Sequence, residues 1–155
     1  MSKFDTSDAV CEFIRAFDAS TDIALWEKLV KEEMEELRLE LIADKVDREK
    51  VLKETADVMY VVTPLLGLTQ VLGAIGLVSE DRMADIADMI ERADKIMATP
   101  IAMFGRDVIQ EAFNLVHASN MSKLGDDGKP IRRDDGKILK GPNYKAPDLS
   151  ALVQQ

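Results

Sequence analysis

Six carboxylates on two predicted helices are the residues best placed to do chemistry. The first helix carries Glu32, Glu33, Glu36 and Glu40 within L-V-K-E-E-M-E-E-L-R-L-E-L, and the second carries Glu54 and Asp57 within L-K-E-T-A-D-V-M-Y-V-V. At about 100° per residue the first four share an arc of roughly 100°, in line with Leu25 and Leu29 one and two turns earlier. Glu54 and Asp57, three apart, share a face with Val51, Val58, Val61 and Leu65. Both clusters are therefore expected to point inward. Carboxylates facing one another in a partly dry gap repel and lose hydration worth several kcal/mol each unless a cation neutralises them. Oxygen-only ligands select hard ions, Mg²⁺ with Mn²⁺ as a substitute, over zinc or copper, and the chain has a single His and a single Cys. On spacing alone, a solvated arc with Leu25 and Leu29 exposed competes equally with a metal site. Glu54 and Asp57 on an apolar face tip the balance toward metal, whereas Glu35, Glu49, Glu80 and Glu91 read as solvated.

Positioning these groups requires a helical framework. Thr6-Ser7-Asp8 offers a cap for a first helix through Val10, Phe13, Ile14 and Phe17, ending near Ala19. Ser20-Thr21-Asp22 starts a second, whose stripe Ile23, Trp26, Val30, Leu37 and Leu41 is the main core face. Asp47 caps a third, with Pro64 predicting a kink or break near its middle. Ser79 starts a fourth through Met83, Ile86, Ile90 and Met97, expected to stop before Pro100. Val108, Ala112, Leu115 and Val116 mark a fifth, reaching His117. Beyond Asn120 the pattern changes, and Pro130–Arg133 with Lys137–Lys140 across Asp135-Gly136 reads as a short β-hairpin. The expected fold is thus an all-α bundle of about five helices with a C-terminal loop and β-hairpin tail, in one domain spanning 1–155.

Charge and composition narrow the function. The net charge of −9 argues against a general nucleic-acid binder. Residues 120–149 hold seven basic residues against five acidic, a local net of +2 that leaves −11 on the remainder. Such a body binds an anion only through metal ions and the tail. The opening M-S-K-F-D-T-S-D lacks a signal-peptide pattern, and the longest apolar run, Val58–Ile75, is interrupted by Thr63, Pro64, Thr69 and Gln70. A soluble, cytoplasmic protein without a membrane partner is expected. Cys11, on a helical apolar face, reads as a small buried hydrophobe in a reducing compartment. His117 reads as a capping or core histidine, and one His excludes a di-iron bundle built on two Glu-x-x-His motifs. Met83, Met89, Met97 and Met103 read as core filler.

E-E-M-E-E-L, followed by E-T-A-D-V-M-Y-V-V, resembles the EExxE and ExxD signature of the all-α nucleoside triphosphate pyrophosphohydrolases, the MazG-like superfamily. The segment V-H-A-S-N-M-S-K-L-G-D-D-G-K-P-I-R-R-D-D-G-K-I-L-K-G-P-N-Y-K-A-P-D-L resembles the C-terminal block of its phosphoribosyl-ATP pyrophosphohydrolase-like subgroup. The matches cover roughly residues 23–75 and 108–149, the tail block being the more specific.

This resemblance implies Mg²⁺-dependent hydrolysis of a (deoxy)nucleoside triphosphate between the α and β phosphates, giving monophosphate and pyrophosphate. Carried over by position, Glu33, Glu36, Glu54 and Asp57 are the metal ligands, and Glu32 and Glu33 the catalytic pair, with Glu32 either a further ligand or the base that orients water. Asn120, Lys123, Lys140, Asn143 and Tyr144 become candidates for holding base, sugar or phosphates. On composition alone these five are ordinary loop residues. Family members are typically dimers or dimers of dimers. Two alternatives stand beside this: phosphoribosyl-ATP as substrate, or a non-catalytic nucleotide-binding helical module. One departure is the segment from Ser79 to Arg106, an apparent extra helix that adds to the core, builds a subunit interface or lids the pocket.

Overall fold

The computed structural model describes residues 4–134 and 138–154. Five helices are present: α1 Ser7–Phe17, α2 Ile23–Leu41, α3 Arg48–Ala74, α4 Glu80–Phe104 and α5 Arg106–Met121, with a 3₁₀ turn at Leu152–Gln154. The protein is all-α. Side-chain caps appear before α2, α3 and α4, whereas Thr6, at the start of α1, makes no cap hydrogen bond. Asp22 accepts from the Ala24 amide, Asp47 from Glu49 and Lys50, and Ser79 from Arg82, each satisfying backbone donors that a first helical turn leaves open.

α3 is the central strut, packing on α2, α4, α5 and, less extensively, α1. Val51, Leu52, Ala56, Val58 and Leu65 are fully buried along it. By length and composition it is apolar enough to cross a membrane, and half of its most apolar window is buried within the bundle. The core comprises two clusters. Leu37, Leu52, Tyr60, Ile109, Phe113 and Val116 belong to the larger, while Trp26, Val30, Leu65, Ile86 and Met89 form the smaller.

Several sequence expectations are corrected. α1 ends at Phe17, and Asp18 closes it in the left-handed conformation. α3 runs unbroken through the buried Pro64, and α4 continues past Pro100 to Phe104. An internal proline costs about 3 kcal/mol. Burial of Val61 and Leu65 around the first, and of Met97 with the partly buried Ile101 around the second, offsets that cost. Cys11 is exposed, because it lies one residue off the buried stripe of Val10 and Phe17. Met89 and Met97 are buried as expected, while Met83 and Met103 are only partly so.

α4 adds to the core: Ile86, Met89, Ala93 and Met97 are its buried positions, and Arg82 pairs with Glu27 of α2. Gly105, at φ 80°, makes the one-residue corner between α4 and α5.

Among the described residues the tail pairs through single bridges, Leu124 with Pro130 and Arg132 with Ile138, rather than through named strands. The Leu139 amide donates to the Ile131 carbonyl at 2.8 Å. Asp135, Gly136 and Lys137, where the hairpin turn was expected, lie outside the described residues. Both ends of the tail are anchored. Ser119 Oγ donates to the Lys145 carbonyl and the Lys145 amide to Ser122 Oγ, while Leu149 is buried and its amide donates to Glu49 of α3. At Gly141 the chain passes so close to the end of α5 that an added Cβ would lie 2.9 Å from the Lys123 carbonyl oxygen and 3.0 Å from that of Leu124.

Candidate functional site

A cavity of about 540 Å³ lies between α2, α3, α5 and the tail, with Phe13 of α1 at one wall. Its composition changes from one wall to another. Glu33 and Glu36 from α2 and Lys53 and Asp57 from α3 form an acidic wall carrying one ammonium. Asn120, Lys123, Arg132 and Tyr144 give a polar, basic wall from α5 and the tail. Phe13, Leu25, Trp26, Leu29 and Val61 make an apolar wall. The Trp26 indole N–H is committed to the Ser20 carbonyl at 2.8 Å, which fixes the orientation of its ring.

The acidic wall arises from the tight packing of α2 on α3. Carboxylate oxygens of Glu33, Glu36 and Glu54 lie within 4.8 Å of one another. A Mg²⁺ ion with oxygens at about 2.1 Å spans about 4.2 Å across its shell, so the trio is on the scale of one hydrated ion's ligand set. Glu54 is 92% buried by its 8% exposure, and its Oε2 has no hydrogen-bond partner. An orphaned buried carboxylate oxygen is costly. A hard cation would satisfy it, so the donor set fits a divalent ion of the Mg²⁺ or Mn²⁺ kind.

Lys53 neutralises part of the cluster, its Nζ lying 3.0 Å from Glu54 and 2.8 Å from Asp57. Burial pulls the Lys53 ammonium down, but the Asp57 and Glu54 carboxylates outweigh it and its pKa ends above the ordinary value. The remaining strain falls on the glutamates. Burial first, then the charges of Asp57, Glu36 and Glu54, push Glu33 from its ordinary 4.5 to about 7. Burial also raises Glu54 despite its bond to Lys53. Burial also lowers Lys123, whose Nζ donates to Asn120 Oδ1 at 2.8 Å.

The inward orientation expected of the acidic arc holds for part of it. Glu33 and Asp57 line the cavity half-buried with Glu54 buried beside them, whereas Glu36 borders the cavity but is exposed. Glu32 is exposed, pairs with Lys28 at 3.6 Å and is not part of the wall. Glu40 pairs with Lys50 at 3.7 Å. Leu25 lines the cavity and is 39% exposed. Of the tail candidates, Asn120, Lys123 and Tyr144 line the cavity. Lys140 lies over the Tyr144 ring at 4.5 Å, and Asn143 is exposed and bound to Asp126 at 2.6 Å. None of the lining residues comes from α4, so this helix does not lid the cavity.

Sequence reasoning did not single out Lys53, Tyr60, Arg132 or the Phe13–Trp26 wall as site residues. Lys53 had a legible signal, being adjacent to Glu54 and four residues before Asp57 on one helix. Arg132 donates to the Phe17 carbonyl, a contact 115 residues apart that no local pattern encodes. Compared with known proteins, the chain matches no family model, no curated protein and no solved structure. The resemblance given above rests on its motifs alone.

Proposed function

We propose that the chain is a Mg²⁺-dependent nucleoside triphosphate pyrophosphohydrolase, cleaving a (deoxy)nucleoside triphosphate to monophosphate and pyrophosphate. The observation that carries this reading is one cavity lined by a carboxylate cluster, by the basic residues Lys123 and Arg132, and by the aromatic rings of Phe13 and Trp26. A triphosphate brings about four negative charges, and an acidic wall accepts them only through cations. Glu36, Glu54 and Asp57, joined by Glu33, are the residues that would hold Mg²⁺. The bound ion would supply charge neutralisation for the phosphates and lower the pKa of the attacking water.

The chain's own groups do the rest by position. Glu33 lines the cavity and Glu32 does not, so Glu33 is the better placed of the two to take a proton from water. Lys123, with Lys140 held against Tyr144, neutralises charge on the departing pyrophosphate. The flat, apolar surface of Trp26 and Phe13 receives the base.

Incubation with a panel of ribo- and deoxyribonucleoside triphosphates, phosphoribosyl-ATP included, in Mg²⁺ should release pyrophosphate and monophosphate, resolved by chromatography. Release of orthophosphate and nucleoside diphosphate would sink the mechanism, and tight binding without turnover would leave a nucleotide-binding module instead. The Asp57→Asn and Glu36→Gln variants should stay folded and lose Mg²⁺-dependent turnover by at least a hundredfold. Unchanged turnover in both removes the metal assignment.

A further inference from the structure

The acidic wall carries a cation of its own. Lys53 Nζ donates to Glu54 Oε1 at 3.0 Å and to Asp57 Oδ2 at 2.8 Å. Glu54 is thereby divided between two fates: Oε1 is taken by the ammonium, while Oε2, in a residue only 8% exposed, has no hydrogen-bond partner. The carboxylates whose oxygens lie within 4.8 Å of one another are Glu33, Glu36 and Glu54. Asp57, the remaining carboxylate of the wall, is the one that Lys53 holds apart from this trio.

On its own the Lys53–Asp57 pair would be an ordinary i,i+4 contact along a helix. The shared hold on Glu54 changes its meaning. A divalent ion on Oε2 and an ammonium on Oε1 would sit on the two oxygens of one carboxyl group, and like charges placed side by side in a partly dry gap are poorly screened. The monovalent partner on a flexible four-carbon stem is the one able to leave. Lys53 has somewhere to go, since its side chain is 45% exposed and it lines the cavity. The other basic lining residues are committed elsewhere in the protein, Lys123 to Asn120 Oδ1 and Arg132 to the Phe17 carbonyl. Lys53 is the lining cation tied to the very groups that would hold the divalent ion.

We propose that Lys53 is an exchangeable counter-ion, which holds Glu54 and Asp57 until a divalent cation takes them and then turns its ammonium into the cavity to bind the substrate's polyphosphate. This rests on the reading of the cavity as a metal and triphosphate site, and it adds an order to that reading. Lys53 becomes a substrate-binding residue only after the metal has entered, so a triphosphate without metal meets a site whose nearest ammonium is already engaged.

The full chain labelled with ¹⁵N-lysine reports the exchange by NMR, the Lys53 ammonium being assigned by its loss in Lys53→Met. In EDTA that ammonium, held by two carboxylates, should give a sharp, slowly exchanging signal. Saturating Mg²⁺ should abolish the signal by opening the ammonium to water, and inorganic tripolyphosphate added with Mg²⁺ should restore it at a new position. Tripolyphosphate in EDTA should leave the signal where it was. A signal that Mg²⁺ leaves in place overturns the exchange, and one lost to Mg²⁺ but not restored by tripolyphosphate overturns the phosphate contact. Lys53→Arg, whose planar fork grips carboxylates at two points, should bind Mn²⁺ about tenfold more weakly than wild type in calorimetry. Equal or tighter binding counts against the exchange. The full sequence of signals without turnover of any nucleoside triphosphate would refute the pyrophosphohydrolase reading and leave the exchange standing, whereas pyrophosphate release beside an unmoved Lys53 signal would do the reverse.

Discussion

Glu33 contributes to the stability of the metal-free protein with a pH dependence opposite to that of an ordinary ion-paired carboxylate. In the unfolded chain its carboxyl releases a proton near 4.5, and in the folded protein near 7, raised first by burial and then by Asp57, Glu36 and Glu54. Between those values the folded state binds more protons than the unfolded state, so the Glu33 contribution to stability falls as pH rises. The penalty is absent below 4.5 and complete above 7. A gap of about 2.5 pH units at about 1.36 kcal/mol each sets a ceiling near 3 kcal/mol. Glu33 is only half-buried, and solvent screening reduces this to about 1–2 kcal/mol. Glu33→Gln removes the charge while nearly preserving the shape. Urea denaturation in EDTA should therefore find the variant about 1–2 kcal/mol more stable than wild type at pH 8, and within a few tenths of it at pH 5. Saturating Mg²⁺ should erase the advantage at pH 8. A variant less stable than wild type at pH 8, or a difference independent of pH, refutes the crowding of charge on which the metal site is argued.

Three further perturbations probe separate parts of the molecule. Lys53→Met removes the ammonium that lies against Glu54 and Asp57, and Mn²⁺ measured by calorimetry should bind about tenfold tighter; unchanged or weaker binding means that Lys53 and the cation do not compete. Phe113→Ala empties a fully buried position among α3 and α5 and should cost about 3–5 kcal/mol in urea, with a loss under 1 kcal/mol excluding the assigned core. Gly141→Ala forces a methyl group against the Lys123 and Leu124 carbonyls and should cost about 1–3 kcal/mol while exposing residues 122–149 to limited proteolysis; a cleavage pattern identical to wild type shows that the tail does not sit tightly there.

Much of the framework is written locally. Asp22, Asp47 and Ser79 begin helices because a short acceptor precedes an apolar stripe, a pattern that does not depend on distant partners. Glu54 and Asp57 were legible for a related reason: carboxylates interrupting Val51, Val58 and Leu65 must lie in or beside a packed face. The helix lengths through Pro64 and Pro100 were not legible, since tertiary burial overrode a local penalty. Spacing also could not separate Glu32 from Glu33. One residue, about 100° of arc, is the difference between a solvated partner of Lys28 and a wall of the cavity, and only the seating of α2 on α3 decides it. His117 reads as a capping or core residue in sequence, and its bonds to Tyr60 and Glu12, 57 and 105 residues away, have no local trace.

The tail's second anchor has a kinetic consequence. Leu149 and Leu152 join the same core as Leu52 and Phe113, and the Leu149 amide reaches Glu49, 100 residues earlier in the chain. Because that contact needs a formed α3 and spans a long stretch of chain, the five-helix bundle should assemble first and the tail should close over the cavity as a later step. Loop-closure entropy grows by only about 0.6 kcal/mol per doubling of length, so the step is limited by having a surface to land on more than by the length of the tail. The tail's share of the cavity wall, Arg132 and Tyr144, should therefore be the last part of the cavity to gain hydrogen-exchange protection during refolding, and the first to lose it on partial unfolding.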